Sequence, residues 1–174
     1  METNTLVAYG SNGICRIEGI TEQQIDGVNR KFYILRPLDS ESSIIYVPTD
    51  STVLCQKMKR LLAADEVLAL IEKMPETNTI WLDDDRERNE RYHRILADGD
   101  CGELVALTKT LYQRKQDLAR FGRKLRSADE RILQQAEKIL FGELAVVLGI
   151  ERSAVLPFIE QKLNKCVNDD ELPQ

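Results

Sequence analysis

The sequence predicts an α+β fold in two parts, a small antiparallel β-barrel followed by an all-α unit, and three observations predict it. Up to about residue 58, short β-branched and aromatic runs alternate with turn signals. Beyond residue 60 the apolar spacing changes to the 3.6-residue period of helices. The chain of 174 residues, 43% apolar and 30% charged, has the composition of a globular protein and is long enough to bury a real core.

The strands come first. Runs at 6–9, 13–20, 30–38, 43–48 and 52–55 are separated by the turn sequences GSNG, DGVN and DSES at roughly hairpin spacing. Five short strands in under sixty residues suggest a barrel of the SH3-like or Tudor-like kind, with Pro48 closing the fourth strand near an edge. This part is assigned to residues 1–58.

Residues 59–166 read as helices. The segment 63–74 places Val67, Leu68, Leu70 and Ile71 on one face, and Pro75 follows as a stop. Trp81, the only tryptophan, lies between the loop-like TNT and a run of aspartates and arginines. The helix after it is expected to be capped by Asp83 or Asp84 and to turn Tyr92, Ile95 and Leu96 inward. Asp100 with Glu103 has capping-box spacing for the next helix, through Leu104, Leu107, Leu111 and Leu118 to Gly122. Ser127 with Glu130 has the same spacing for a long helix through Ile132, Leu133, Ala136, Leu140 and Leu144, closed by Gly149. A last helix spans about 153–165, with Pro157 tolerated near its first turn. An acidic tail at 167–174 is expected to fray.

Chemistry is sparse. The four cysteines are scattered without a CxxC pair and His93 is the single histidine, so no zinc site, disulfide framework or cofactor is expected. The DGDCGE turn departs from a calcium loop at its fifth position, and GSNG lacks the lysine and hydroxyl residue of a phosphate loop. Asp83, Asp84 and Asp85 are explained more simply as a cap and dipole complement than as metal ligands. No nucleophile and base pair stands out, so an enzyme is not expected. The N-terminus has no basic and apolar leader pattern and no run is long enough to span a bilayer, so a cytoplasmic location without membrane contact is expected.

Charge by segment says more than the total of -5. The segments 1–58, 59–166 and 167–174 carry -2, 0 and -3. Within 113–126, Arg114, Lys115, Arg120, Arg123, Lys124 and Arg126 face the single Asp117. This is either a phosphate-binding patch or a solvated helix end whose cations suit the C-terminal dipole.

The order LVAYGSNGICRIEGI, SIIYVP, the Trp81 segment, RYHRILADGD and LRSADERILQQAEKILFGELA resembles the CarD family of bacterial RNA polymerase-binding transcription regulators. The resemblance covers about residues 5–148. The barrel also resembles the polymerase-interaction domain of transcription-repair coupling factors, but without a helicase motor a stand-alone regulator is the closer match.

The resemblance implies that the barrel docks on the polymerase β subunit through an edge strand, here Ile44, Ile45, Tyr46, Val47 and Pro48. β-Augmentation is the matching physical mode. Where family members can carry arginine on this strand, the chain has Tyr46. It further implies that the helical unit meets promoter DNA, weakly and without strong sequence preference, at the upstream edge of the bubble. There Trp81 would wedge into the minor groove, with Arg86, Arg88, Arg91, Lys124, Arg126 and Arg131 on the phosphates. The stretch from Trp81 to Gly99 is about one helical turn longer than in the family, and the added residues include the three aspartates. The protein is expected to act as a monomer that stabilises the open promoter complex. A second reading stays open: the barrel is a protein–protein adaptor, the helices are a structural scaffold without a DNA role, and Trp81 is a core anchor.

Overall fold

The computed structural model describes residues 2–40 and 42–169. The chain divides into two compact units, Met1–Leu61 and Leu62–Gln174.

In the first unit five antiparallel strands lie in the order β4-β3-β2-β1-β5: β1 Leu6–Tyr9, β2 Ile14–Ile25, β3 Val28–Pro37, β4 Ile45–Pro48 and β5 Met58–Arg60. A 3-10 turn, Gly10–Asn12, joins β1 to β2. The β2–β3 hairpin runs further than the apolar pattern alone predicts. Asp26 and Gly27 both take positive φ, 52° and 78°, which makes a tight two-residue turn whose twist suits the strands. The polar residues before and after it then pair across the ladder, Glu22 with Lys31 and Gln23 with Arg30.

The fifth strand is not where its sequence suggests. Residues 52–55 form a short helix, α1 Thr52–Gln56, because Ser51 Oγ accepts the Leu54 amide at 3.4 Å and caps it. The strand follows at Met58–Arg60 and pairs with β1, Tyr9 opposite Met58. Alternate residues build the core: Val7 and Tyr9, Cys15 and Ile17, Leu35, Val47 and Met58. Burial pushes the Cys15 thiol up to about 11, so it stays protonated and inert at neutral pH.

The second unit holds α2 Ala64–Lys73, α3 Asp85–Asp98, α4 Cys101–Arg120, α5 Ser127–Leu148 and α6 Val155–Asp169. A 3-10 turn, Met74–Glu76, follows α2, and another, Arg152–Ala154, precedes α6. Asp84 caps α3 by accepting the Arg86 and Glu87 amides at 3.0 and 2.8 Å, and Asp100 caps α4 by accepting the Glu103 amide at 3.1 Å. The cap of α5 is Arg126 and not Ser127, which is already the first helical residue. Gly99 takes φ 62° and ends α3 in the left-handed conformation.

The core gathers the inward stripes of all five helices, with Ile71, Tyr92, Leu107, Leu111, Leu133, Leu140, Leu144 and Val155 among its residues. Glu143 is buried in it. Its carboxylate accepts the Leu62 amide at 3.0 Å and the Cys101 thiol at 3.3 Å, which ties the approach to α2 to the start of α4. No helix among the described residues is long and apolar enough to cross a membrane. Of the acidic tail, residues 170–174 lie outside the described residues, as does the side chain of Cys166.

Candidate nucleic-acid interface

Trp81 sits in the segment between the 3-10 turn after α2 and the start of α3, and that segment is pinned to the helices at several points. Lys109, on α4, donates from one ammonium to the carbonyls of Met74, Pro75 and Thr77 at 3.1, 2.6 and 2.7 Å. These are carbonyls at the end of the 3-10 turn, where a cation suits the local dipole. One turn of α4 is completed by Thr110, whose hydroxyl accepts the Ile80 amide at 2.9 Å and donates to the Ala106 carbonyl at 2.6 Å. From α3, Arg88 donates to the Leu82 carbonyl at 2.7 Å. The backbone on both sides of Trp81 is therefore fixed.

The ring is half-buried at the margin of the helical core. Its Nε1 donates to Asp83 at 3.2 Å. Two guanidinium groups lie over it: Arg88 at 4.2 Å and Arg114 at 4.7 Å from the ring centroid. Arg88 is 4% exposed, whereas Arg114 is exposed on α4. Cation–π contacts of this kind contribute about 0.5–2 kcal/mol each, the higher figure for the desolvated one. Trp81 is neither a fully buried anchor nor a free wedge. It is an aromatic side chain in a rigid seat.

The three aspartates each have a local partner. Asp83 accepts from the indole and Asp84 caps α3. Asp85 bridges Arg126 and Arg88, the latter at 2.5 Å. The bonds from Arg126 first, and from Arg88 second, hold the Asp85 carboxyl below the usual carboxylate range, and Asp85 in turn raises Arg126.

The expected phosphate-facing cations do not form one group. Arg88 is a correction: it is buried under Trp81 and paired with Asp85, so its guanidinium is spent on positioning. A signal for this lay in the spacing, since Arg88 precedes Tyr92 by four and Ile95 by seven residues and so shares their apolar stripe. Arg86 is about 200° round α3 from Arg88. It pairs with Glu90 at 3.1 Å on the outer face that also carries His93 and Arg94. Arg91 is exposed on α3. Arg126 is exposed but bonded to Asp85. Lys124 and Arg131 are exposed and line one groove with Lys115 and Arg123, a cavity of about 620 Å³ between the end of α4 and the start of α5. Lys109 and Thr110 were absent from the expected site, and Arg114, expected only as part of the basic patch at 113–126, was not expected over Trp81, because contacts thirty residues apart leave no local pattern.

On the N-terminal unit, β4 is an edge strand, bonded among the described residues to β3 alone. Ile44 and Tyr46 are exposed and Ile45 and Pro48 half-buried. Val47 is fully buried, so its side chain belongs to the core and only its backbone can serve a partner. Tyr46 stands edge-on to Phe32, ring centroids 6.5 Å apart.

Comparison with known families accounts for this succession of a five-stranded antiparallel sheet and a helical unit. The model of the CarD-like/TRCF RID domain matches residues 1–61, and that of the CarD C-terminal domain matches residues 66–160. The chain belongs to the CarD-like family. CarD-like proteins are non-enzymatic transcription regulators that interact with RNA polymerase, and the N-terminal unit is the polymerase-interaction domain type. Among curated proteins, none matches the chain significantly.

Proposed function

We propose that this CarD-like protein docks on the polymerase β subunit through the β4 edge and stabilises the open promoter complex with Trp81 at the upstream edge of the bubble. The observation that carries the reading is the pinned backbone on both sides of Trp81, through Ile80 and Leu82. Part-buried backbone groups need partners in any fold, and here those partners also fix the direction in which the Trp81 ring is presented. A group that must meet a distorted base step gains orientation from it.

Unstacking a base step costs a few kcal/mol in closed duplex and less at a bubble edge. An aromatic wedge there binds the open state better than the closed one, and a tenfold shift in population needs about 1.4 kcal/mol of differential binding. Arg114 is the group that has to swing aside, and as an exposed side chain on α4 it can do so by a rotamer change. Lys124 and Arg131 supply phosphate contacts, together with Arg91. The affinity for free DNA is weak at a net charge of -5, and attachment to polymerase raises the local concentration. The protein acts in this way as a monomer, in the cytoplasm.

The packing of Trp81 against the core favours the adaptor reading, so the test must separate the two. Permanganate reactivity of unpaired thymines at the upstream bubble edge is expected to be greater with wild type than with Trp81→Ala, both variants binding polymerase equally. Equal reactivity would leave the adaptor.

A further inference from the structure

The α4–α5 turn carries a side chain that the fold does not use. Phe121 is 80% exposed, the highest value among the exposed large hydrophobic residues described, and belongs to neither core. Its backbone is nonetheless rigid. The Arg123 amide donates to the Leu118 carbonyl at 2.9 Å and the Gly122 amide to Ala119 at 3.0 Å, with Gly122 at φ 65°. That is a Schellman closure, with the left-handed position filled by the one residue type that takes it without strain. An aromatic ring is thus held out in water on a fixed base.

What surrounds it is basic. Arg120, Arg123, Lys124 and Arg126 lie within five residues of it in the chain, and Asp117 is the only acid in 113–126. Arg120 reaches Asp117 at 3.8 Å, and Arg126 is bonded to Asp85. Among the described residues Arg123 and Lys124 make no ion pair. Both open onto the groove of about 620 Å³ whose apolar lining includes Ala119 and Leu125.

We infer that this turn is a second nucleic-acid site, in which Phe121 stacks on an unpaired base of single-stranded DNA while Arg123 and Lys124 hold the flanking phosphates. The inference rests on the reading of the helical unit as the DNA-contacting one. Alternating cation and ring matches the alternation of phosphate and base, and every base offers a face to an aromatic ring. In intact duplex those faces are occupied by neighbouring bases, so the site prefers an unpaired strand. A lipid surface calls for a broader apolar face than one ring among charges, and an acidic peptide lacks the regular alternation of anion and flat ring that a nucleic-acid strand offers. Phe121, the residue that caps α4, lies seven residues beyond Arg114, about 10 Å along the helix axis. That is roughly three base steps at ~3.4 Å each, so Trp81 beneath Arg114 and Phe121 can address one distorted stretch of DNA.

The test measures binding of a labelled single-stranded oligonucleotide and its duplex to the full-length protein by fluorescence anisotropy at low salt. Phe121 is exposed, so its variants fold. Phe121→Ala is expected to lose about tenfold in single-strand affinity, Phe121→Tyr to retain it, and the duplex to be affected less. Arg123→Ala with Lys124→Ala is expected to lower the salt slope by about 1.4. Single-strand affinity unchanged in Phe121→Ala overturns the inference. So does a loss confined to phosphatidylglycerol vesicles, which would make the turn a membrane contact. Trp81→Ala run alongside separates the two readings. If it loses duplex or bubble-DNA binding while Phe121→Ala matches wild type, this inference alone fails. If wild type binds neither DNA, this inference fails, while the open-complex reading, which relies on attachment to polymerase, stands or falls with the lifetime of the open complex.

Discussion

Trp81 has its orientation set by residues that never need to touch a ligand. Thr110→Val keeps the shape of the side chain but leaves the Ile80 amide without its acceptor. The expected cost is about 1 kcal/mol of stability, with a shift in tryptophan fluorescence that reports Trp81 alone, the chain having no other tryptophan. An unchanged spectrum would mean that the loop holds itself. Tyr92 makes the opposite case: it is fully buried, and its hydroxyl finds no hydrogen-bond partner among the described residues. Tyr92→Phe is therefore expected to leave stability unchanged or raise it by up to about 1 kcal/mol. Burial also pushes the Tyr92 hydroxyl up to about 12 from 10.0. Above pH 10 the unfolded chain has released this proton while the folded chain keeps it, so its contribution is full below pH 10 and is lost as the pH rises towards 12. Tyr112, raised by burial and by its bond to Glu137, acts in the same direction. Melts at pH 8 and pH 11 are expected to show that loss, with a smaller fall in Tyr92→Phe than in wild type; equal falls would contradict the assignment.

The elements whose signals are local were legible in the sequence. The α3 cap, expected at Asp83 or Asp84 and found at Asp84, the Asp100 cap, the inward stripe of Tyr92, Ile95 and Leu96, and the closing Gly149 all follow from short local spacings. Two local readings failed where a cap competed with a propensity. Ser51 turned the β-branched Thr52 and Val53 into a helix start, and Arg126 rather than Ser127 took the cap of α5. The site was less legible, because Lys109 and Thr110 act across contacts that only the fold creates. For β4 the alternation of strand faces divides the expected polymerase contact into two kinds of residue. Tyr46→Glu, at an exposed position, is expected to change stability by less than about 0.5 kcal/mol while lowering polymerase affinity about tenfold. Val47→Ala, in the core, is expected to cost about 2 kcal/mol and to weaken binding only through folding. Affinity kept in Tyr46→Glu would place the contact elsewhere than this edge.

At the scale of the whole molecule, two units with separate cores are joined through Leu61 and Leu62, and one chain carries a polymerase-interaction domain and a helical domain with a rigid aromatic seat. A net charge of -5 opposes DNA binding by the free protein, so activity is expected to depend on attachment to polymerase. Affinity for free DNA is expected to fall with salt by a slope of about -0.9 per phosphate contact, with fewer than six contacts; a slope steeper than that of six contacts would show a larger interface than the exposed cations provide. The most direct test of the central claim is the lifetime of open promoter complexes formed with the cognate bacterial polymerase, measured without the protein, with wild type and with Trp81→Ala. The account predicts that wild type lengthens the lifetime and that Trp81→Ala, still bound to polymerase, loses the effect. Equal lifetimes in all three, with both proteins bound, would contradict it.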